Sequence, residues 1–137
     1  MELPNIVLKE ARVLVVDDAA LSRAMLRNIL YEIGFRKIED APDALSGLKK
    51  LEESLEKGDA HIFLFCDWMM PGLDGIELIK KIKSNPKFEK LKIIMVSSEG
   101  ETENILKAIE AGANTFMTKP ISKEAVYKKL QGILGHK

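Results

Sequence analysis

Residues 62–75 read Ile-Phe-Leu-Phe-Cys-Asp-Trp-Met-Met-Pro-Gly-Leu-Asp-Gly. Five apolar residues in a row, followed at once by a loop with Pro-Gly and Asp-Gly, are typical of a buried parallel strand that ends in a turn. Open α/β folds place their chemistry at the carboxyl ends of such strands. The stretch therefore predicts that Asp67 stands at this edge of a sheet, and it makes Asp67 the first candidate for a reactive residue.

The rest of the chain repeats a strand followed by a helix. Apolar runs predict further strands at 12–16 and 92–96, short strands are predicted at 37–40 and 115–117, and apolar residues at helical spacing follow each strand. Five such units predict a parallel sheet covered by helices on both faces. The residues expected to face inward are Leu21, Met25, Leu26, Ile29, Leu30 and Ile33 in the first helix, Leu45, Leu48, Leu51 and Leu55 in the second, Ile76, Ile79 and Ile82 in the third, Ile105, Leu106 and Ile109 in the fourth, and Val126, Leu130 and Ile133 in the fifth, with Ser122 as the N-cap of the fifth.

The composition favours one domain with no strong charge. The 137 residues suffice for a single core, and 21 basic residues balance 21 acidic ones. A net charge of zero argues against general binding to nucleic acid or to an anionic membrane. The start lacks a signal-peptide pattern, and no apolar run approaches the roughly 18 residues of a membrane span. We expect a cytoplasmic monomer in which residues 1–11 are a lead-in and residues 12–137 form the domain.

Polar residues follow four of the five predicted strands. Asp17 and Asp18 follow the first strand, Asp67 the third, Ser97 the fourth and Lys119 the fifth. If these strands are parallel neighbours, their ends meet at one edge of the sheet. Three carboxylates there would repel one another unless a cation lay among them, and Mg²⁺ is the hard, oxygen-seeking ion that fits best. A carboxylate beside Mg²⁺, a lysine and a hydroxyl is equipped for phosphoryl transfer to the carboxylate.

These motifs resemble those of the response-regulator receiver domain. The similarity lies in Val-Val-Asp-Asp at 15–18, the segment 67–75, Met-Val-Ser-Ser at 95–98 and Thr-Lys-Pro at 118–120. It extends from about residue 12 to the last helix, and within the family it is greatest to the stand-alone chemotaxis receivers. The resemblance implies a flavodoxin-like, doubly wound (βα)5 three-layer sandwich with a five-stranded parallel sheet of order 2-1-3-4-5.

The resemblance also implies roles for individual residues. Asp67 would accept a phosphoryl group from a histidine kinase. Mg²⁺ would be bound directly by Asp18, mainly through water by Asp17, and also by Asp67 and the backbone carbonyl of Met69. Ser97 would be the switch hydroxyl that contacts the phosphoryl group.

Signalling would then occur by a population shift. Lys119 would sense the phosphoryl charge, and the bond between Lys119 and Pro120 is implied to be cis. Phe116, the switch aromatic, would turn inward as Ser97 moves, and it stands where close relatives have a tyrosine. The surface formed by the fourth helix, fifth strand and fifth helix would change its affinity for a partner. That surface is expected to include Ile105, Lys107, Ala108, Phe116 and Lys123.

Other chemically versatile side chains have ordinary explanations. Cys66 is interpreted as a small buried apolar residue, since one cysteine cannot form an internal disulfide. Met69 is expected near the mouth of the site, where with Glu99 it could influence the access of water. His61 and His136 show no ligand spacing and are assigned no role.

Several functions stay open. The main interpretation is a single-domain response regulator of two-component signalling that catalyses no reaction beyond its own phosphorylation and dephosphorylation. Its expected partners are a histidine kinase and an output protein, with the flagellar motor switch as one candidate. A phosphorelay intermediate, or a receiver detached from a longer regulator, is the nearest alternative. A dehalogenase-like hydrolase would share the aspartyl phosphate, but Met69 stands where those enzymes carry a second acid. A pure interaction module is disfavoured by the intact acids and Lys119.

Overall fold

The computed structural model describes residues 8–98 and 102–134, apart from the side chain of Thr102. Residues 1–7, Glu99 and His136 lie outside the described residues. The strands are β1 (Arg12–Val16), β2 (Lys37–Ala41), β3 (Phe63–Cys66), β4 (Lys92–Ser97) and β5 (Thr115–Thr118). The helices are α1 (Ala20–Ile33), α2 (Ala44–Glu56), α3 (Gly75–Lys83), α4 (Thr102–Ala111) and α5 (Lys123–Leu134), with a 3₁₀ turn at Pro86–Phe88.

The five strands form one parallel sheet of order β2-β1-β3-β4-β5. This order confirms the predicted flavodoxin-like, doubly wound fold. Strand β2 runs one residue further than predicted, to Ala41, and β5 runs to Thr118. The strand order changes direction between β1 and β3, which is the place where open α/β sheets leave a crevice at their carboxyl edge.

Successive strand residues point to opposite faces of the sheet, and each face has its own core. Leu14 and Leu64 lie in the core beneath α2, α3 and α4. Val13 and Phe63, one residue earlier on the same strands, lie in the core beneath α1 and α5. The central strands β1 and β3 are therefore apolar on both faces, which explains their continuous apolar runs.

Five large apolar residues that were predicted to face the core are instead exposed. Ala44, Gly47, Leu51 and Ser54 are buried on α2, whereas Leu45 is not, and a Cβ on Gly47 would lie only 2.7 Å from Cγ2 of Val16. At Gly47 the helix approaches the sheet so closely that only a small residue fits. Each residue of a helix is turned by about 100° from the one before it, so Leu45, directly after the buried Ala44, points away from the sheet. The exposed residues are Leu21, Met25, Leu45, Leu106 and Ile109.

Side-chain hydrogen bonds cap the starts of two helices, one of them as predicted. Ser122 Oγ accepts from the Ala125 amide at 3.1 Å, so the predicted N-cap of α5 is confirmed. At α3, Asp74 and Glu77 form a reciprocal capping box with bonds of 2.8 and 2.9 Å. The Asp-Gly that closes the 62–75 segment thus begins a helix immediately beneath Asp67.

The described segment before β1 is in contact with the domain. Residues 8–10 form a turn, and Leu8 packs against the core beneath α1 and α5. Within 8–98 and 102–134, none of the helices combines the length and the apolar character needed to cross a membrane.

Candidate functional site

Four strand ends meet at the carboxyl edge of the sheet, as the sequence predicts. Asp17 and Asp67 follow β1 and β3, and the Asp67 amide donates to the carbonyl of Val16 at 2.9 Å. Ser97 ends β4, and its carbonyl accepts from the Lys119 amide at 2.9 Å. Main-chain bonds between neighbouring strands therefore hold the polar residues side by side.

Three acids form the centre of this site. Asp17, Asp18 and Asp67 each present a carboxylate oxygen, and these oxygens lie within 4.8 Å of one another. Asp17 and Asp67 are almost fully buried, whereas Asp18 is exposed. The cluster is therefore open to solvent on the Asp18 side and closed beneath.

Hydrogen bonds fix two of the three carboxylates. Oδ1 of Asp17 accepts from the Ala19 amide at 2.9 Å, and its Oδ2 accepts from Lys119 Nζ at 2.9 Å. Oδ1 of Asp67 accepts from the Trp68 amide at 2.8 Å, while its Oδ2 lies 3.5 Å from Lys119 Nζ. The second oxygen of Asp67 is thus the less firmly engaged of its two carboxylate oxygens.

The charges of the site shift the pKa values of Asp67 and Lys119. Burial, and then the negative charge of Asp17, raise the pKa of Asp67, while Lys119 acts in the opposite direction. Burial lowers the pKa of Lys119, but its hydrogen bond to Asp17 and the charges of Asp67 and Asp17 outweigh burial, so the net shift is upward. A protonated lysine thus partly neutralises an acid cluster that is short of positive charge.

The donor set fits a hard divalent cation. Mg²⁺ takes oxygen ligands, tolerates retained water and is held by one or two carboxylates in most protein sites. Two of the carboxylates here are buried and one faces solvent, so an ion could keep part of its water shell. Met69 is implied as a ligand through its backbone carbonyl. Its side chain is exposed, consistent with its predicted place near the mouth of the site.

A cavity of about 310 Å³ adjoins the acids. Its walls are mostly apolar and come from the sheet, from α1 and from the β5–α5 connection, with Leu26, Phe65 and Ile121 among them. Asp17, Asp67 and Lys119 also line it. The peptide bond between Lys119 and Pro120 at this wall is cis.

Two residues expected on the surface formed by α4, β5 and α5 are buried. Ala108 has no exposed area and Phe116 is only 6% exposed, so the prediction that they contribute to that surface is wrong. Phe116 pairs with Met95 in the sheet and lies in the core beneath α4. Lys107 and Lys123 are exposed as predicted. Leu106, next to Lys107 on α4, is an exposed apolar residue.

Sequence reasoning missed two polar arrangements. Arg23 on α1 donates to the backbone carbonyl of Asp17 at 2.8 Å. At the opposite, amino edge of the sheet, the fully buried side chain of His61 lies between Ser54 Oγ at 2.8 Å and Glu39 Oε1 at 2.6 Å. No motif connects the partners in either group, because they come from separate elements.

The fold and the site define the class of this protein: a doubly wound α/β domain with an acidic, lysine-containing centre at the switch point of its sheet. A family model described as "Response regulator receiver domain" matches residues 13–131. The chain therefore belongs to the response-regulator receiver family.

Relatives of the chain include chemotaxis proteins of the CheY type. The chain is 34% identical over 125 residues to chemotaxis protein CheY-3 of Vibrio cholerae serotype O1. The match covers 91% of this chain and 92% of that protein. A structure of V. cholerae CheY4 superposes with a TM-score of 0.80 at 27% identity, covering 90% of this chain and 98% of that one. CheY in a CheX–CheY–BeF3–Mg²⁺ complex from Borrelia burgdorferi superposes with a TM-score of 0.79 at 26% identity, covering 90% of this chain and 88% of that one. The chain is thus the receiver domain of a CheY-like response regulator.

Proposed function

We propose that this receiver domain accepts a phosphoryl group on Asp67 in a Mg²⁺-dependent reaction. The observation that carries the proposal is the convergence of Asp17, Asp18 and Asp67 within 4.8 Å beside the ammonium group of Lys119. An oxygen of Asp67 attacks the phosphorus of a phosphohistidine and forms a phosphorus–oxygen bond. The phosphorus–nitrogen bond breaks, its electron pair stays on the imidazole nitrogen, and that nitrogen takes a proton from solvent. The product is an aspartyl phosphate.

The acids would hold the metal ion. Asp18, Asp17 (mainly through water), Asp67 and the carbonyl of Met69 are the proposed ligands, and the three clustered carboxylates support that assignment. When bound, Mg²⁺ supplies positive charge to the phosphoryl oxygens. The carboxylate of Asp67 is buried, and the hydrogen bond from the Trp68 amide orients it.

Lys119 and Ser97 would read the phosphorylated state. Lys119 lies between Asp17 and Asp67, so a phosphoryl group on Asp67 would compete with Asp17 for its ammonium group. Ser97 ends the neighbouring strand, where its hydroxyl would donate to a phosphoryl oxygen. Phe116 already lies inward, so we propose that phosphorylation stabilises this arrangement against an outward one.

The proposed partners follow from the relatives. A histidine kinase would be the donor, and the surface formed by α4, β5 and α5 would bind the output protein, with a role in chemotaxis suggested by the CheY relatives. The Borrelia CheY forms a complex with CheX, which makes a CheX-like protein a second kind of partner to test. We propose a cytoplasmic module of residues 12–137 that acts as a monomer and catalyses no reaction on other molecules. A role as a phosphorelay intermediate is the alternative.

Intact mass spectrometry tests the central step. The chain is incubated with Mg²⁺ and acetyl phosphate beside an Asp67→Asn variant, and Trp68 fluorescence is recorded in parallel because its amide contacts Asp67. One added phosphoryl mass in the wild type and none in the folded variant is the expected result. No added mass would contradict the proposal if the beryllofluoride complex also failed to change Trp68 fluorescence. Capture of a histidine phosphotransfer protein, with no output protein, would favour the phosphorelay alternative.

A further inference from the structure

Helix α1 begins without the usual side-chain cap. Its N-cap residue is Ala19, which makes no side-chain hydrogen bond, and the first turn contains no acidic residue. Ser, Thr, Asp or Asn at this position normally stabilises a helix start by satisfying a free amide. The turn at 17–19, which carries two of the three acids, is closed by Asp17 Oδ1, which accepts from the Ala19 amide at 2.9 Å, and a second anchor holds its backbone.

Arg23 supplies that anchor from inside the helix. Its NH1 donates to the backbone carbonyl of Asp17 at 2.8 Å, and its Nε donates to Oδ2 of Asp40 at 3.2 Å. The side chain is only 19% exposed. One guanidinium thus connects α1, the end of β1 and strand β2 at the base of the acid cluster.

Asp40 in turn holds the guanidinium in place. It pairs with Val15 in the β1–β2 register, and its other oxygen lies 3.7 Å from NH1 of Arg27, one helical turn after Arg23. Arg27 also donates to the carbonyl of Ile38 at 3.0 Å. A planar guanidinium presents Nε and NH1 to the two acceptors in a fixed geometry, which the flexible, point-like ammonium group of a lysine does not reproduce.

We propose that Arg23 is a positioning residue for the acidic site: it fixes the carbonyl of Asp17 so that Asp17 and Asp18 keep their carboxylates directed toward Asp67. This proposal rests on the proposed Mg²⁺ function. The effect on Mg²⁺ affinity of removing Arg23 distinguishes a positioning role from a simple effect of its charge, because the two predict opposite changes. Loss of a positive charge near the site would tighten cation binding, whereas loss of the anchor loosens it.

Two measurements on the full chain test this role. Mg²⁺ is titrated with Trp68 fluorescence as the signal for the wild type, Arg23→Gln, Arg23→Lys and the matched control Arg27→Gln. We expect about tenfold weaker Mg²⁺ binding in Arg23→Gln, as for other residues that orient metal ligands. Arg23→Lys should recover part of the loss, and Arg27→Gln, which leaves the bond to Asp17 intact, should stay near the wild type. Equal or tighter binding in Arg23→Gln would overturn the proposal.

Amide hydrogen exchange separates this proposal from the proposed function. In metal-free protein, the amides at 18–20 should exchange faster in Arg23→Gln than in Arg27→Gln, while amides in β3 stay protected in both. If the wild type bound no Mg²⁺, the metal function would fail, but the exchange result would still decide whether Arg23 anchors the turn. Unchanged exchange at 18–20 would refute the anchor, and faster exchange throughout the sheet would indicate general destabilisation instead and overturn it as well.

Discussion

The ammonium group of Lys119 donates a hydrogen bond to Oδ2 of Asp17 at 2.9 Å. Its distance to Oδ2 of Asp67 is longer, 3.5 Å. In the unphosphorylated chain the lysine is therefore bound to an acid of the proposed metal site. Under the proposed function, a phosphoryl group on Asp67 would compete with Asp17 for the lysine, so metal binding and phosphate sensing would be linked through one ammonium group.

The first prediction concerns removal of this ammonium group. In Lys119→Met, Oδ2 of Asp17 becomes free and a positive charge leaves the acid cluster, so Mg²⁺ should bind more tightly. A charge near 4 Å is worth about 1 kcal/mol even in water, which corresponds to about fivefold in affinity. The measurement is a Mg²⁺ titration followed by Trp68 fluorescence.

The control for this variant is Lys123→Met, which removes an exposed lysine at the start of α5. It changes the net charge equally and should leave Mg²⁺ affinity near that of the wild type. Phosphate incorporation should persist in Lys119→Met, but the phosphorylated variant should no longer alter partner binding. Normal switching would contradict the role proposed for Lys119.

The acids and Lys119 could be predicted from the sequence because each follows a recognisable strand. Strand ends in a parallel sheet meet at one edge, so residues far apart in the chain become neighbours by topology alone. Arg23 and His61 had no such signal. Arg23 is one of several charged residues on α1, and His61 contacts Ser54 and Glu39 only because of how α2 and β2 pack.

The helix faces were predicted less well for a related physical reason. Counting large apolar residues placed Leu45 and Leu106 inward, yet both are more than half exposed. The facing positions contain small residues such as Gly47 and Ala108 because close packing on a sheet leaves little room. Periodicity identified the helices correctly, but the size of the gap beneath each helix is a property of the packed sheet.

The second prediction uses such a close approach at the site. A Cβ on Gly75 would meet the backbone oxygen of Asp67, with Trp68 Cα at 2.9 Å and Met95 Cε at 3.0 Å. Because two of these atoms are backbone, Gly75→Ala must displace either the start of α3 or the turn after Asp67. We expect a loss of about 1–3 kcal/mol in the free energy of unfolding, measured in urea, together with weaker Mg²⁺ binding.

Gly132 provides the matched control for Gly75→Ala. It lies in α5, and a Cβ there would have no heavy atom within 4 Å. Gly132→Ala should therefore stabilise the protein by about 0.5–1 kcal/mol, since alanine loses less backbone entropy in a helix. If Gly75→Ala were as stable as the wild type, the contact between α3 and the Asp67 turn would not be as rigid as described.

The third prediction concerns the buried histidine at the amino edge of the sheet. Burial lowers the pKa of His61 below its ordinary value of 6.5, although the hydrogen bond to Glu39 acts in the opposite direction. In the neutral ring with the proton on Nε2, Nε2 donates to Glu39, and Nδ1 faces the hydroxyl of Ser54, whose single proton is shared between Nδ1 and the carbonyl of Leu51. The folded state therefore binds fewer protons at this ring than the unfolded chain does.

Stability should consequently fall as the pH falls below about 6.5, because the unfolded histidine takes up a proton that the folded one resists. One proton contributes at most about 1.4 kcal/mol per pH unit.

The free energy of unfolding is measured in urea from about pH 7.5 to 5.5 for the wild type and for His61→Gln, which cannot titrate. The variant should be less stable at neutral pH but lose less on acidification. Burial raises the pKa of Glu39, but its hydrogen bond to His61 and the charge of Arg12 outweigh burial, so in the wild type the net shift from 4.5 is downward and Glu39 stays ionised throughout this window. Equal losses in the two proteins would show that the ring takes up its proton as readily when folded as when unfolded.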